Sequence, residues 1–305
     1  MLTAFTFPGQ GSQFPEMLTD NLPKDEITLR HLNEVEMILQ RKITSIDSSE
    51  ALKETANVQL ALLISGVIWG EYIVSQGCEP DYVMGLSVGA YPAAVVAGCL
   101  SFNDALMLVS MRGHLMQTAF PYDYGMLAIL NVNRSVVESV LNQQSSQTES
   151  VYLANINAED QFVLAGYIPA LVSTAEAIKS KSRCTARLLD VAVPSHCSLL
   201  SSQADSLLDA LKSISINKPK YRYVSASKSR VLNNIDDIRQ DLSHNMARQV
   251  HWHDGSQLLL ERGVERVIEM PPGSTLTALC RRVFKDGRCL AAQGTRLDSL
   301  LFTGI

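Results

Sequence analysis

Ser87 stands in Gly85-Leu86-Ser87-Val88-Gly89, a GxSxG pattern. Small residues surround serines often by chance, so the pattern informs only through its context. It follows a short apolar stretch, Tyr82-Val83-Met84, and opens a run of small residues from Val88 to Ala97. Strand, tight turn and helix is the arrangement that lifts a serine hydroxyl off a sheet as a nucleophile. At a helix start that hydroxyl also faces backbone N–H groups, which favour developing negative charge. A tight structural turn with a capping serine accounts for the same residues.

A serine nucleophile needs a base near neutral pH. Of the six histidines, His31 and His114 fall inside helical patterns and read as core or surface residues. His244, His251 and His253 are close in sequence, but no cysteine or carboxylate cluster accompanies them, so no metal site is expected there. His196 lies in Val193-Pro194-Ser195-His196, where a change of pattern marks a junction between two units. A histidine at such a junction can face a cleft and serve as base; a buried histidine at a helix start is the other reading.

The surrounding patterns define the elements that must hold these groups. Leu2 to Phe7 reads as a strand running into the turn Pro8-Gly9-Gln10-Gly11-Ser12-Gln13. Helical spacing appears at Thr28 to Gln40, Val58 to Val74, Phe102 to Thr118 and Leu199 to Leu211. Strands are expected at Tyr223-Val224 and Val267 to Met270, with a helix at Thr275 to Val283 after Pro271-Pro272-Gly273-Ser274. The middle differs: strand at Met126 to Leu130, helix at Arg134 to Leu141, strands at Val151 to Ile156 and Gln161 to Ala165, helix at Pro169 to Lys179, strand at Ala186 to Val193. That β-α-β-β-α-β order is the signature of a ferredoxin-like module, with polar loops at Gln143 to Ser150 and Lys179 to Arg183. The outer segments alternate strands and helices, which implies a parallel-type α/β core. The expected fold class is α/β: a large domain of residues 1–125 and 193–305, interrupted by a small α+β domain at 126–192.

The chain has 305 residues, 46% hydrophobic and 19% charged, enough for a sizeable core. A net charge of -5 without a basic stripe gives no reason to expect nucleic-acid binding. Met1-Leu2-Thr3-Ala4-Phe5 has no basic stretch before an apolar one, so no secretory signal is expected. The longest apolar run, Leu60 to Trp69, falls short of the ~18 residues of a spanning helix and reads as buried, with no membrane partner. Six scattered cysteines without a CxxC pair suit a reducing, cytoplasmic setting.

Five stretches occur together in order: Phe7 to Gln13, the Gly85–Gly89 elbow, Met111-Arg112-Gly113, Pro194-Ser195-His196 and Pro272-Gly273. In this combination the chain resembles the malonyl-CoA:acyl carrier protein transacylase family over nearly its whole length. The resemblance implies a large α/β-hydrolase-like domain with the small module inserted. It implies Ser87 as nucleophile, His196 as general base, and the backbone N–H groups of Gln10 and Val88 as oxyanion hole. Arg112, by itself readable as a helix-surface residue, becomes the group that grips the malonyl carboxylate, a role suited to a planar guanidinium. Gln59 matches a glutamine of the same pocket. The family has no acidic third member; a backbone carbonyl near Asn245 orients the histidine.

The family's fatty-acid members usually read GHSLGEY, where this chain has Leu86 and Ala90, and Asn245 replaces a common glutamine. Several stretches, among them Ala154-Asn155-Ile156-Asn157-Ala158, Asn245-Met246-Ala247-Arg248 and Glu269-Met270-Pro271-Pro272-Gly273, resemble the epsilon subunits of malonate decarboxylase. That branch implies malonyl-CoA as substrate, no permanently bound cofactor, and a prosthetic-group thiol on the acyl carrier subunit as acceptor. The other decarboxylase subunits would then be partners. A malonyl transacylase of fatty-acid or polyketide synthesis is the alternative within the class, and a serine esterase or thioesterase the alternative outside it. Lys179, Lys181, Arg183 and Arg187 form a basic cluster that reads as a solvated face or a carrier-docking surface.

Overall fold

A computed structural model describes residues 1–120, 122–144 and 150–302, so the polar loop expected between Gln143 and Ser150 lies, at 145–149, outside the described residues. In chain order its strands are β1 (Leu2–Phe7), β2 (Tyr82–Gly85), β3 (Tyr124–Leu130), β4 (Tyr152–Ala158), β5 (Gln161–Tyr167), β6 (Thr185–Leu188), β7 (Arg222–Ser225), β8 (Arg230–Leu232), β9 (Val264–Glu269) and β10 (Arg288–Ala291). They form two sheets.

The larger sheet has the order β10-β9-β1-β2-β7-β8. β1 pairs in parallel with β2 and β9, β9 with β10, and β2 with β7. β8 departs from the expected parallel arrangement and pairs antiparallel with β7. Only residues 226–229 separate the two strands, too few for a crossover helix, so a hairpin is the one connection available. The sheet is therefore mixed. β1 lies between β2 and β9, with Phe5 and Phe7 packed into one apolar cluster and Ala4 into another on the opposite face. Both faces are covered, which is why apolar residues fall on both sides of the strand and Thr3 and Thr6 are buried with them.

The central core helix is Thr55–Ser75. Its 21 residues are by length and composition apolar enough to cross a membrane, but 72% of its most apolar window is buried inside the molecule. It packs against the helices Phe102–Ala119 and Ala90–Val96. The run Leu60 to Trp69 is the middle of this longer helix, and it is apolar all round because it is surrounded.

The smaller sheet has the order β4-β5-β3-β6 with every pair antiparallel. The helices Arg134–Gln144 and Ile168–Lys181 complete the sequence strand, helix, strand, strand, helix, strand. One face, with Leu127, Ile129, Ile156, Phe162 and Leu164, buries Leu171 and Ile178 of the second helix. The other face carries Met126, Ala154, Val163 and Ala165 and meets Cys197 of the large unit. β3 begins at Tyr124, inside the stretch expected to belong to the large domain. The last strand, expected to run to Val193, ends at Leu188. Past it only the Leu189 N–H reaches across, to Met126 O at 2.9 Å, as the chain leaves for the large unit. The sheets are stitched at Val250, whose N–H donates to Ala154 O and whose carbonyl accepts from Ile156 N, each at 2.8 Å.

The elbow is welded to the end of β1. Leu86 N donates to Phe7 O at 2.9 Å, and a Cβ on Gly89 would lie 2.2 Å from that same oxygen. No side chain can be accommodated without separating the elbow from the central strand. Gly89→Ala should therefore destabilise the fold by about 3 kcal/mol or more. Urea unfolding checks this; a variant as stable as the parent would show that the elbow can shift freely on the sheet.

Candidate active site

Strand β2 ends at Gly85, and a single 3-10 turn, Ser87–Gly89, leads into the helix Ala90–Val96. Ser87 has φ +56°, in the left-handed region that non-glycine residues rarely occupy. The Leu86 and Gly89 contacts to neighbouring backbone hold it there, as a sharp strand-to-helix turn requires. Its side chain lines a cavity of about 250 Å³ between the loop at 8–12, the elbow, His196 and one face of the small sheet.

His196 lines the same cavity. It too has a left-handed backbone, φ +65°, and its N–H donates to Met246 O at 2.7 Å. The ring Nδ1 lies 2.7 Å from the Asn245 carbonyl oxygen. A carbonyl can only accept, so Nδ1 carries the hydrogen and Nε2 keeps its lone pair in the neutral ring. Burial pushes the pKa down to about 4, the Asn245 carbonyl works against this, and the Arg112 charge adds to the lowering. The imidazole is therefore a neutral proton acceptor across ordinary pH. Among the described residues Ser87 Oγ bonds to Arg112 and not to His196.

Arg112 is fully buried, so the helix-surface reading of this residue is wrong. It sits on the inner side of Phe102–Ala119, where Gly113 meets the central helix so closely that a Cβ would lie 2.5 Å from Ala56 Cα. That approach brings the guanidinium to Gln59 on the same central helix. Nη1 donates to Gln59 Oε1 at 2.6 Å, and Nη2 to Asn245 Oδ1 at 3.1 Å and to Ser87 Oγ at 3.2 Å. Nε has no partner. Among the described residues no carboxylate lies within ion-pair distance. Burial lowers its pKa to about 10, which still leaves it charged at neutral pH.

Asn245 joins the three: its carbonyl holds His196, its Oδ1 holds Arg112, and its Nδ2 donates to Ser87 O at 3.4 Å. It begins a 3-10 turn after the helix Ile235–His244, capped by Asn234 at its start. Asp241 ties that helix to β7 by accepting from Tyr223 Oη and Ser225 Oγ, and Tyr91 Oη from the elbow helix donates to Leu242 O. Gln10 lines the cavity, and its N–H donates no hydrogen bond within the described residues. The Val88 side chain is buried in the core, while its amide precedes the first one that the 3-10 turn bonds, Gly89 N to Leu86 O.

Four of the other histidines are paired elsewhere. His31 is buried against Glu71 and Glu34; His244, His251 and His253 pair separately with Asp205, Asp254 and Glu159. Among the described residues no group of His, Cys, Asp and Glu gathers as a metal site. In the basic cluster Lys179 pairs with Glu176 and Lys181 with Gln143. Sequence reasoning passed over Glu269, which is buried and accepts from Leu276 N and Thr277 N. It thereby anchors the helix Thr275–Val283, whose first turn lines the cavity. An acidic residue shortly before a helix start was the available signal.

A strained serine elbow and a neutral histidine line one cavity, with a buried arginine bonded to the serine, and the class that this fold and site define is an acyltransferase on an α/β scaffold. The chain belongs to the acyl transferase family, whose acyl transferase domain matches residues 4–298. It is 31% identical over 292 residues to the malonyl CoA-acyl carrier protein transacylase of Bacillus subtilis, covering 94% of this chain and 92% of that protein. The solved malonyl CoA-acyl carrier protein transacylase of Coxiella burnetii superposes with a TM-score of 0.92 at 30% identity, over 98% of this chain and 96% of that one. A malonyl-transacylase solved in complex with its type II PKS acyl-carrier protein gives 0.88 at 30% identity, over 95% of this chain and 94% of that one.

The His196 shift has a consequence for stability. Between pH 6.5 and about 4 the unfolded chain holds a proton on this residue that the folded chain does not. Stability from this group is full above pH 6.5 and is lost as pH falls through that window. In urea titrations the parent should lose stability more steeply there than His196→Gln; equal slopes would show that the buried ring is protonated as easily as an exposed one.

Proposed function

We propose that the chain is a malonyl-CoA:acyl carrier protein S-malonyltransferase working through a Ser87 acyl-enzyme, with no permanently bound cofactor. The observation that carries this is the Arg112 guanidinium: fully buried, ringed by neutral oxygens, and 3.2 Å from the Ser87 hydroxyl. Burying an unpaired charge costs several kcal/mol. A substrate whose acyl group ends in a carboxylate supplies the partner in the place where acyl transfer happens.

In this mechanism the malonyl carboxylate pairs with Arg112. His196 Nε2 takes the Ser87 proton as Oγ attacks the thioester carbonyl. The Gln10 and Val88 amides hold the oxyanion, an effect of about 3 kcal/mol per donor in comparable sites. The C–S bond breaks and the CoA sulfur leaves with the proton from His196. The carrier thiol then gives its proton to His196, attacks the acyl-serine ester, and returns Ser87 to its starting state. The small unit at 126–192 is, in this reading, a ferredoxin-like insertion that walls the thioester channel.

The relatives named above favour a general carrier-protein transacylase over the epsilon subunit of malonate decarboxylase. The decarboxylase branch rests on the sequence stretches quoted for it and on Leu86, Ala90 and Asn245. Incubating malonylated enzyme with carriers of each kind separates the two. The esterase reading calls for a carboxylate on His196, whereas Nδ1 faces a backbone carbonyl.

Ser87→Ala should take up no malonyl group from malonyl-CoA by intact-mass measurement; an adduct on another residue would end the acyl-enzyme assignment. Arg112→Ala should lose about tenfold to a hundredfold in malonyl transfer, the worth of a charged hydrogen bond, with acetyl transfer much less affected. Equal losses for the two acyl groups would remove the carboxylate role.

A further inference from the structure

The turn that holds His196 is referenced to the same pair of strands as the nucleophile. β2 carries the elbow and pairs in parallel with β7, Val83 opposite Tyr223 and Met84 opposite Val224. From β7 and the hairpin after it, Tyr223 Oη, Ser225 Oγ and Ser227 Oγ all donate to the Asp241 carboxylate, at 2.8, 2.5 and 2.7 Å. Asp241 lies in the last turn of the helix Ile235–His244, and its backbone carbonyl accepts the Asn245 N–H. Asn245 holds His196 Nδ1 through its own carbonyl. A chain of hydrogen bonds therefore runs from β7 through Asp241 and Asn245 to the imidazole.

An aspartate at this position is costly for packing alone. Asp241 is 1% exposed, and among the described residues no cation lies within ion-pair distance of it. A buried carboxylate is strongly unfavourable unless hydrogen bonds replace its water. Ile238 and Leu242 of the same helix already pack it into the core. What apolar packing does not supply is direction, because it tolerates small slides and rotations. Three hydroxyls converging on one carboxylate restrict both. A second tie, Tyr91 Oη to Leu242 O at 2.8 Å, comes from the elbow helix. Both ties meet the chain within one turn of Asn245.

We propose that Asp241 is a positioning residue for the transfer: it sets the height and rotation of Asn245, and through that carbonyl the tautomer and aim of His196. This rests on the reading of Ser87 and His196 given above and extends it to a residue that acts through Asn245. Without the tie, the Asn245 carbonyl no longer fixes the hydrogen on Nδ1, and part of the molecules hold the tautomer whose Nε2 has no free lone pair. Arg112 keeps its bond to Gln59, so binding of the acyl carboxylate is spared. The loss therefore falls on proton transfer.

The test compares Asp241→Ala, Asp241→Asn and Ser225→Ala with the parent for malonylation of Ser87 by malonyl-CoA, and follows isotopically labelled histidine by NMR. Asp241→Ala should lower kcat about tenfold to a hundredfold, the effect of a misplaced reacting group, and change KM less than about threefold. Asp241→Asn keeps the shape and one accepting oxygen and should recover most of that loss. Ser225→Ala removes one donor, should cost about twofold to tenfold in kcat, and serves where Asp241→Ala does not fold. The parent should show a slowly exchanging His196 Nδ1–H signal that is lost in Asp241→Ala while its backbone amide spectrum remains that of a folded chain. A merely structural role would lower stability and leave the folded variants with the parent's kcat and imidazole signal. That result, or a loss confined to KM, would overturn the proposal and leave the acyl-enzyme reading in place. A parent that takes up no malonyl group on Ser87 would overturn both.

Discussion

The buried guanidinium of Arg112 is the interaction around which the site is arranged. A charge without a carboxylate in the interior is tolerated only if oriented dipoles stand in for water. Gln59, Asn245 and Ser87 supply them from three separate elements: the central helix, the turn after Ile235–His244, and the elbow. Each is placed by a constraint of its own: the Gly113–Ala56 approach, the Asp241 and Tyr91 ties, and the weld to Phe7. Loss of any one leaves the charge with fewer partners and the hydroxyl with a different neighbour. The same positive charge helps hold His196 neutral. One side chain thus touches the serine hydroxyl and also helps set the charge state of the histidine.

Strain is concentrated at the two groups proposed to move the proton. Ser87 and His196 both sit in left-handed backbone that is uncommon for their residue types. Each is held by backbone hydrogen bonds to neighbouring segments, Leu86 to Phe7 and His196 to Met246. Such conformations persist only where the surroundings over-determine them. The small sheet completes the arrangement by closing one side of the cavity, and its attachment at Val250 sets how far that wall stands from the elbow.

The principal helices and strands were legible because their patterns are local. β1, the central helix and Thr275–Val283 follow from mainly apolar runs or from amphipathic spacing beside Pro and Gly. The edge strands β8 and β10 and the helices Ile235–His244 and Trp252–Glu261 were not. The strands are three and four residues long, and Ile235–His244 is mostly polar. Ser225 and Ser227 hold its Asp241 side chain only because β7 lies beside it, an arrangement with no local signature. The parallel expectation failed at β8 for the same reason: strand direction at an edge depends on loop length and on which neighbour is free.

At the site, residue types spoke for chemistry but not for environment. A serine between glycines after a strand, and a histidine after Pro-Ser, could be singled out from the chain alone, because nucleophile elbows and domain junctions have short-range signatures. That Arg112 is buried, that Asn245 bonds it, Ser87 and His196 together, and that Asn155 and Asn157 stand unpaired in the same cavity were decided by tertiary packing. These residues are 25 to 133 positions from Arg112, on elements that touch only when both sheets are assembled. Burial, charge compensation and the direction of a side chain are properties of that assembly, and periodicity along one segment does not encode them.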